Sequence, residues 1–237
     1  MRVHVIQHVD FEGPEAIGEW ASERGHELTS GLALTQEYPA LDEVGLLVVM
    51  GGPMNVYEDG RYPWLPGERE YLARAVEAAA DGGPSVLGVC LGAQLVAVAA
   101  GGSVRRNAER EIGWFPVTLT ETGRSSRVLS ALPEVFMAGH WHGDTFDLPP
   151  HLASAASSPA CANQAFETAG GHVVGIQFHL EWTPAALGLL VDRCGGELDG
   201  HGRFVQSAEQ LTGDPARFQS TRDLLFGLLD RMETLRR

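Results

Sequence analysis

Residues 86–95, VLGVCLGAQL, place a cysteine between two glycines, at the end of one apolar run and the start of another. The first run has the length and composition of a buried strand, and the second run, which continues to Ala100, has those of a helix. Cys90 therefore lies at a predicted strand-to-helix turn. Gly88 and Gly92 suit such a turn, because a Cβ at either position would clash where the flanking backbones crowd together.

The segments before this turn alternate between strand and helix patterns. β-Branched or continuous apolar runs predict strands at 3–7, 26–34, 44–50 and 84–89. Between them, the segments 13–25 and 68–80 carry apolar residues at helical spacing and end at glycines. This alternation predicts βαβ units, and therefore an α/β fold with a doubly wound, mostly parallel open sheet and helices on both faces.

The pattern changes after residue 110. Apolar stretches at 113–120, 134–139, 152–158, 163–169 and 172–178 predict short strands, some of which we expect as antiparallel additions to the sheet. From Thr183 the chain predicts helices, separated by a turn-rich break at 195–202. We therefore expect one main domain, 1–182, with a helical C-terminal extension, 183–237, packed on the same domain.

Composition and charge exclude several classes of function. The 237 residues are 44% hydrophobic, enough for a substantial core without disulfides. With 17 basic and 31 acidic residues the net charge is -14, which argues against nucleic acid and anionic membranes as partners. All the basic residues are arginine, so a Schiff-base lysine and a lysine-bearing phosphate loop are excluded.

The cysteines and the N-terminus bear on the cellular compartment. Cys90, Cys161 and Cys194 are widely spaced, form no CxxC pair, and indicate neither a disulfide framework nor a zinc site. Their odd number fits a reducing compartment, although one disulfide among them is compatible with the spacing. The N-terminal apolar run is too short for a signal peptide, and no stretch approaches the length of a membrane span. We expect a soluble cytoplasmic protein.

A cysteine in this turn has the surroundings of a nucleophile. Strand ends in open α/β folds lie at the edge that binds ligands, and a helix N-terminus favours thiolate over thiol. The alternative is a buried structural cysteine in a glycine-containing turn. The spacing Gly88-x-Cys90-x-Gly92-x-Gln94 resembles the nucleophile motif of the class I (triad) glutamine amidotransferases, and this resemblance favours the nucleophile.

A thiol nucleophile needs an imidazole as base, and the imidazole needs an acceptor to orient it. The segment 173–182, VVGIQFHLEW, ends an apolar run with His179 and places Glu181 two residues later, where it can project to the same side. It resembles the second motif of the family, with Leu180 where the family usually has proline. The resemblance implies a triad of Cys90, His179 and Glu181.

Attack on a carboxamide also needs backbone N–H donors for the developing oxyanion. One predicted donor is Leu91, directly after the nucleophile. Gly-Gly-Pro at 51–53 closes an apolar strand and resembles a family element whose second glycine, here Gly52, supplies the other donor. Taken without the family, the same tripeptide is simply a turn.

Two further segments resemble the family's substrate contacts. Gln94 lies one helical turn beyond the nucleophile and matches a glutamine that contacts the substrate. The segment 140–146, HWHGDTF, resembles the SHGD-type segment of amidotransferases of the GMP synthetase kind. It aligns His142 and Asp144, of which Asp144 would pair with the substrate ammonium, and it has Trp141 in place of the usual small residue.

Two other interpretations of this segment stay open. His140 and His142 could form a solvated pair in a loop, or two ligands of a metal site. The sequence spacing indicates no third ligand, so we expect no metal.

The resemblance covers most of residues 40–182 and is closest in pattern to stand-alone proteins related to the glutaminase domain of GMP synthetase. It includes the segments around Trp64 and Glu111, to which no chemistry is assigned. It implies a flavodoxin-like class I amidotransferase fold and an acyl transfer in which Cys90 forms a thioester with the γ-carbonyl of glutamine. That reaction needs no metal or organic cofactor.

Only about 55 residues follow the motif region, too few for a typical synthase domain, so any ammonia acceptor should lie on a separate chain. Two enzymatic hypotheses follow: a glutaminase subunit acting in trans, or a free-standing hydrolase or transferase of γ-glutamyl compounds. A non-catalytic ligand-binding module on the same fold is a third hypothesis. A fourth, the cysteine-elbow protease and chaperone group, is disfavoured by Gln94 and the late His-x-Glu pair.

Overall fold

The computed structural model describes residues 1–168, 170–198 and 200–236. Parts of the predicted segments 163–169, 195–202 and 183–237 fall on residues 169, 199 and 237, which lie outside this description. The strands are β1 (Arg2–Gln7), β2 (Glu27–Leu32), β3 (Leu46–Val49), β4 (Ser85–Val89), β5 (Ser103–Leu119), β6 (Val135–Asp147), β7 (Ala156–Ser157), β8 (Ala165–Glu167), β9 (Val173–Ile176) and β10 (Phe204–Val205). The α-helices are α1 (Glu15–Glu23), α2 (Leu65–Ala80), α3 (Leu91–Ala99), α4 (Glu121–Ser125), α5 (Pro184–Cys194), α6 (Ala208–Thr212) and α7 (Ala216–Arg236).

The strands form a single mixed sheet. Its central part is parallel, in the order β2-β1-β3-β4-β9. Beyond β9 the sheet continues through the antiparallel strands β8, β7 and β5, while β6 pairs antiparallel and β10 parallel with β5. The predicted α/β fold, with a parallel core and antiparallel additions, is confirmed.

Helices cover both faces of the parallel part because its strands are apolar on both sides. Along β3, Leu46 and Val48 face a core shared with α1 and α7, whereas Leu47 and Val49 face a core shared with α2 and α3. All four side chains are at most 1% exposed. The continuous apolar run, and not an alternating one, is thus the signature of a two-sided core.

The largest difference from the sequence prediction is a long antiparallel pair. The predicted short strands at 113–120 and 134–139 are parts of β5 and β6, which have 17 and 13 residues. The first half of β5 is polar and largely exposed, so its composition resembles that of a loop. His140 and His142 consequently lie inside a strand and are buried, so the interpretation as a solvated loop pair is wrong.

The C-terminal part combines helices with one strand. Helix α5 is capped at its N-terminus by Thr183, whose hydroxyl accepts a hydrogen bond from the N–H of Ala186. Helix α7 packs against α1, where Trp20 Nε1 donates to Asp230 at 2.8 Å. The sequence did not reveal β10, which has only two residues and follows the turn-rich break. None of the described helices is long and apolar enough to cross a membrane.

Candidate active site

Four parallel strands bring the predicted motifs to one edge of the sheet. The segments that follow β1, β3, β4 and β9 carry His8, the Gly51-Gly52 pair, Cys90 and His179, in that order along the chain. A cavity of about 270 Å³ opens at this edge. Its lining includes Gly52, Cys90, Leu91, Gln94, Trp141, His142, Asp144 and His179. Distant segments therefore meet where open α/β sheets bind ligands.

Cys90 lies between β4 and α3 in a backbone conformation that residues other than glycine rarely adopt, with φ 53° and ψ -110°. The turn is tight enough to require its glycines. A Cβ at Gly88 would lie 2.5 Å from the carbonyl oxygen of Gly92, and one at Gly92 would lie 1.9 Å from that of Val49. The predicted reason for both glycines is therefore observed, and the close packing holds the thiol, 7% exposed, at the cavity.

His179 and Glu181 form a buried pair. Nδ1 of His179 lies 2.6 Å from a carboxylate oxygen of Glu181, and the N–H of Leu180 donates to the other oxygen at 3.1 Å. The backbone of His179 exchanges two hydrogen bonds with Gly139 of β6, at 2.7 and 3.0 Å, which fixes the ring's position. With Nδ1 occupied by Glu181, Nε2 is the nitrogen available to the thiol.

The electrostatics of the pair favour a charged imidazole. Burial disfavours the charge, but the Glu181 carboxylate and the hydrogen bond with Cys90 outweigh it and raise the pKa of His179 well above its usual value. At neutral pH this stabilises an imidazolium next to the sulfur, the arrangement in which a thiol becomes a nucleophile.

The two candidate oxyanion donors border the same cavity as the thiol. Leu91 is the first residue of α3, where a backbone N–H has no partner within the helix. Gly52 follows β3, and both residues line the cavity with Cys90. A Cβ at Gly52 would lie 2.8 Å from Cβ of His8 and 3.2 Å from Leu91 Cδ2, so this position also requires glycine.

The candidate substrate contacts also line the cavity. Gln94 is buried and donates through Nε2 to the backbone oxygen of Asp144 at 3.4 Å and to Gln177 Oε1 at 3.1 Å. The Asp144 carboxylate accepts a hydrogen bond from the Tyr57 hydroxyl at 2.8 Å and lies 3.9 Å from Arg106. The other carboxylate oxygen, Oδ1, is buried with no hydrogen-bond partner among the described residues, and it can receive a substrate ammonium.

Comparison with known proteins gives the family. The family model for glutamine amidotransferase class-I matches residues 23–190. The glutamine amidotransferase-like protein YfeJ of Salmonella typhimurium is 33% identical over 239 residues, which cover 98% of this chain and 97% of that protein. The chain belongs to the class I glutamine amidotransferases.

Further similarities agree with this membership. The GMP synthase (glutamine-hydrolyzing) of Latilactobacillus sakei is 32% identical over 136 residues, 57% of this chain but 24% of its own length. The amidotransferase therefore matches only about a quarter of that enzyme. The crystal structure of a glutamine amidotransferase from Thermotoga maritima superposes with a TM-score of 0.86 at 29% identity and covers 98% of both chains. The predicted family and its fold are confirmed.

Trp141 and His142 both line the cavity but make different contacts. The backbone oxygen of Trp141 lies 3.6 Å from the sulfur of Cys90, and its indole N–H reaches Glu197 at 3.3 Å. His142 borders the cavity but its ring nitrogens are engaged elsewhere, Nδ1 with the backbone oxygen of Asp144 at 3.0 Å and Nε2 with Glu111 at 3.1 Å. This geometry suits His142 to holding Asp144 in place.

Glu111 contacts both histidines of the segment HWH, His140 and His142. One carboxylate oxygen of Glu111 lies 3.1 Å from His142 Nε2 and 3.4 Å from His140 Nδ1, so the fold supplies the third potential metal ligand that the spacing did not indicate. The same oxygen also accepts a hydrogen bond from Gln164 Nε2 at 2.6 Å. Hydrogen bonds thus hold this buried cluster together, and it connects β5, β6 and the segment before β8.

Several residues at the site were missed by sequence reasoning. Gln177 directs its amide at the sulfur of Cys90, 3.6 Å away, from within the quoted motif GIQF. Glu12 lines the cavity, and a Cβ at Gly51 would lie 2.6 Å from its carboxylate and 3.5 Å from Cε1 of His179. Burial raises the pKa of the Glu12 carboxyl and outweighs the nearby charges of His179 and His8, which lower it. Only the fold places such isolated polar residues near the triad.

Proposed function

We propose that this amidotransferase is an enzyme that hydrolyses the γ-carboxamide of glutamine, or of another γ-glutamyl compound, through a cysteinyl thioester. The observation that carries the proposal is the convergence of Cys90, His179 and Glu181 at one cavity, with the 2.6 Å His179–Glu181 contact. The GMP synthase relative is named as glutamine-hydrolyzing, which supports glutamine as the donor.

In the proposed mechanism the Cys90 thiolate adds to the γ-carbonyl carbon, and the oxyanion accepts hydrogen bonds from Gly52 and Leu91. The carbon–nitrogen bond then breaks as His179 gives its proton to the departing nitrogen, which leaves as ammonia or an amine. Water, deprotonated by His179, attacks the thioester carbonyl, and the carbon–sulfur bond breaks to release the γ-carboxylate. Glu181 stabilises the imidazolium throughout. These steps assign no role to a metal or an organic cofactor.

Gln94 and Asp144 are the proposed contacts to the amino-acid end of the substrate, with Trp141 and His142 shaping that end of the cavity. The Oδ1 atom of Asp144 would accept a hydrogen bond from the substrate ammonium while Oδ2 keeps its hydrogen bond with the Tyr57 hydroxyl. In the first form of the proposal, ammonia passes to an acceptor on a separate synthase chain.

One observation favours the second form, a free-standing γ-glutamyl hydrolase. Leu190, Cys194 and Glu197, from the proposed C-terminal extension 183–237, line the same cavity as Cys90. The chain thus covers part of its own active site with residues outside the proposed amidotransferase domain 1–182. A substrate with a larger leaving group would contact these residues.

An assay of ammonia release from glutamine, alone and with candidate synthase chains, tests the proposal. Turnover of glutamine that rises with a partner supports the subunit form. Turnover of larger γ-glutamyl amides with no activity on glutamine supports the free-standing hydrolase and contradicts the subunit form. Binding of γ-glutamyl compounds without any turnover would contradict both and indicate a ligand-binding module.

A further inference from the structure

A second buried histidine–glutamate pair lies directly behind the cavity. His8 follows β1 and is 2% exposed, and Glu68, in the first turn of α2, is fully buried. Nε2 of His8 lies 3.1 and 3.3 Å from the two carboxylate oxygens of Glu68. Burial disfavours a charge on this ring, but Glu68 and Gly51 outweigh it and raise the pKa of His8. The mechanism proposed above uses neither residue.

The other ring nitrogen of His8 holds the backbone of the glycine pair. Nδ1 of His8 lies 2.9 Å from the carbonyl oxygen of Gly51. Because Glu68 accepts at Nε2 and a carbonyl accepts at Nδ1, both ring nitrogens carry protons in this arrangement. The His8 ring therefore connects helix α2, through Glu68, to the Gly51–Gly52 peptide bond at the cavity.

That peptide bond is the one that contains the predicted oxyanion donor. The carbonyl of Gly51 and the N–H of Gly52 share a single plane, and the described residues contain no cis peptide bonds. In a trans peptide the C=O and N–H point in opposite directions. A carbonyl held toward His8 therefore turns the N–H of Gly52 away from His8. Within residues 1–168, 170–198 and 200–236, that N–H donates no hydrogen bond to a protein acceptor.

We propose that His8, oriented by Glu68, is a positioning residue that locks the Gly51–Gly52 peptide with its N–H directed at the oxyanion. The need for such a lock follows from the glycines themselves. Two consecutive glycines allow the peptide plane to rotate at little steric cost, and a rotated plane would present a carbonyl to the oxyanion. A hydrogen bond to the carbonyl also polarises the amide and strengthens its N–H as a donor.

This inference rests on the proposed function and predicts which step suffers when the lock is removed. The variant His8→Phe keeps the ring but loses its N–H, whereas His8→Asn keeps an amide donor in place of Nδ1. We expect kcat to fall about 100-fold in His8→Phe with KM little changed, since loss of one oxyanion donor costs about 10²–10³-fold. His8→Asn should stay within about tenfold of the wild type, because it retains a donor.

A second readout separates positioning from general damage. Glutamate γ-semialdehyde adds to the Cys90 thiol as a hemithioacetal, with the sulfur bonded to the former carbonyl carbon and the oxygen in the oxyanion position. Its affinity should fall in parallel with kcat across the two variants. The rate at which iodoacetamide alkylates Cys90 needs no oxyanion donor and should be unchanged.

The matched control is His4→Phe, which alters a largely buried histidine of β1 that hydrogen-bonds Thr29 at 2.8 Å and does not line the cavity. It should keep full activity. If His8→Phe does not fold, the double variant His8→Phe with Glu68→Leu takes its place, because it also removes the buried carboxylate that His8→Phe leaves unpaired. A folded His8→Phe protein, or the double variant, with kcat within threefold of wild type would overturn the inference. A fall in the rate of Cys90 alkylation that matches the fall in kcat would also overturn it. A wild-type protein that neither turns over γ-glutamyl amides nor binds the aldehyde would instead contradict the proposed function.

Discussion

The indole of Trp182 lies flat against the imidazole of His179, with ring centroids 4.4 Å apart and planes inclined by 16°. Gly139 makes this stack possible, because a Cβ there would lie 2.3 Å from Cζ3 of the indole. The same glycine exchanges both backbone hydrogen bonds with His179. One strand residue thus anchors the histidine backbone and leaves room for the ring that covers its side chain. An aromatic face also favours an imidazolium over a neutral ring.

The stack predicts that Trp182 matters for turnover. In Trp182→Leu the imidazole loses its aromatic cover and gains freedom to rotate, so we expect kcat to fall about tenfold. Gly139→Ala should reproduce that loss by displacing the indole. Gly188→Ala, on α5, meets open space and serves as the control, with activity unchanged and the melting temperature equal or slightly higher, because alanine favours a helix more than glycine does. Full turnover in a folded Trp182→Leu protein would show that the stack has no catalytic consequence.

Covalent labelling identifies the nucleophile. A chloroketone or diazo-ketone analogue of glutamine should modify the protein once, and Cys90→Ala should abolish the mass increase. Cys194→Ala is the matched control, because Cys194 lines the same cavity but burial and neighbouring carboxylates raise its pKa. Labelling that persists in Cys90→Ala would point to another nucleophile.

The pH dependence of turnover should report the His179–Glu181 contact. Acylation needs a protonated His179, so kcat/KM should fall as pH rises through the elevated pKa of this residue. Glu181→Gln removes the carboxylate that raises this pKa and should shift the alkaline limb to lower pH, as well as lower kcat. Glu43→Gln, a surface carboxylate paired with Arg2, should leave the profile in place. An unshifted alkaline limb in Glu181→Gln would mean that another group sets it.

Substrate recognition should depend on Asp144 and much less on its present partner. Asp144→Asn is expected to raise KM for the γ-glutamyl substrate about 100-fold with a smaller change in kcat, since it removes a buried charge that would pair with the ammonium. Tyr57→Phe removes only a hydrogen bond to the other carboxylate oxygen, Oδ2, so KM should change much less. Steady-state kinetics of both variants test this assignment, and an unchanged KM in Asp144→Asn would refute it.

Stability should fall in mild acid because of His140. Burial, chiefly, lowers the pKa of His140 to about 4, below its usual value of 6.5. Between these values the unfolded chain binds a proton that the folded protein excludes, so stability decreases as pH falls from 6.5 toward 4. Because of this residue, the free energy of unfolding should be about 2 kcal/mol lower at pH 5 than at pH 7. In His140→Gln the difference in free energy of unfolding between pH 7 and pH 5 should shrink by about that amount, as measured by denaturant unfolding. An equal difference in both proteins would contradict the assignment.

The sequence predicted the central sheet and the triad because both depend on local patterns. Continuous apolar runs such as that of β3 mark strands covered on two sides, and the turn glycines around Cys90 are dictated by contacts within a few residues. Parallel strands end at one edge, so the topology alone brings Cys90 and His179 together. Their proposed chemical roles remain predictions that labelling and kinetics test.

What the sequence did not reveal depends on contacts between distant segments. The polar half of β5 is a strand only because β6 pairs with it, and Glu111 meets His140 and His142 across that pair. His8 and Glu68 lie 60 residues apart and belong to no recognisable motif. Isolated polar residues carry no periodicity, so only the assembled fold shows that they share one buried site.

The left-handed backbone of Cys90 is maintained by packing from β3, β4 and α3 together, and no local preference of cysteine would sustain it. The proposed activation of the thiol is therefore a property of the assembled protein and should be lost when β3, β4 and α3 separate. Because β3 and β4 lie at the centre of the parallel part of the sheet, the rate at which a thiol reagent modifies Cys90 during heating should change together with global unfolding and not before it.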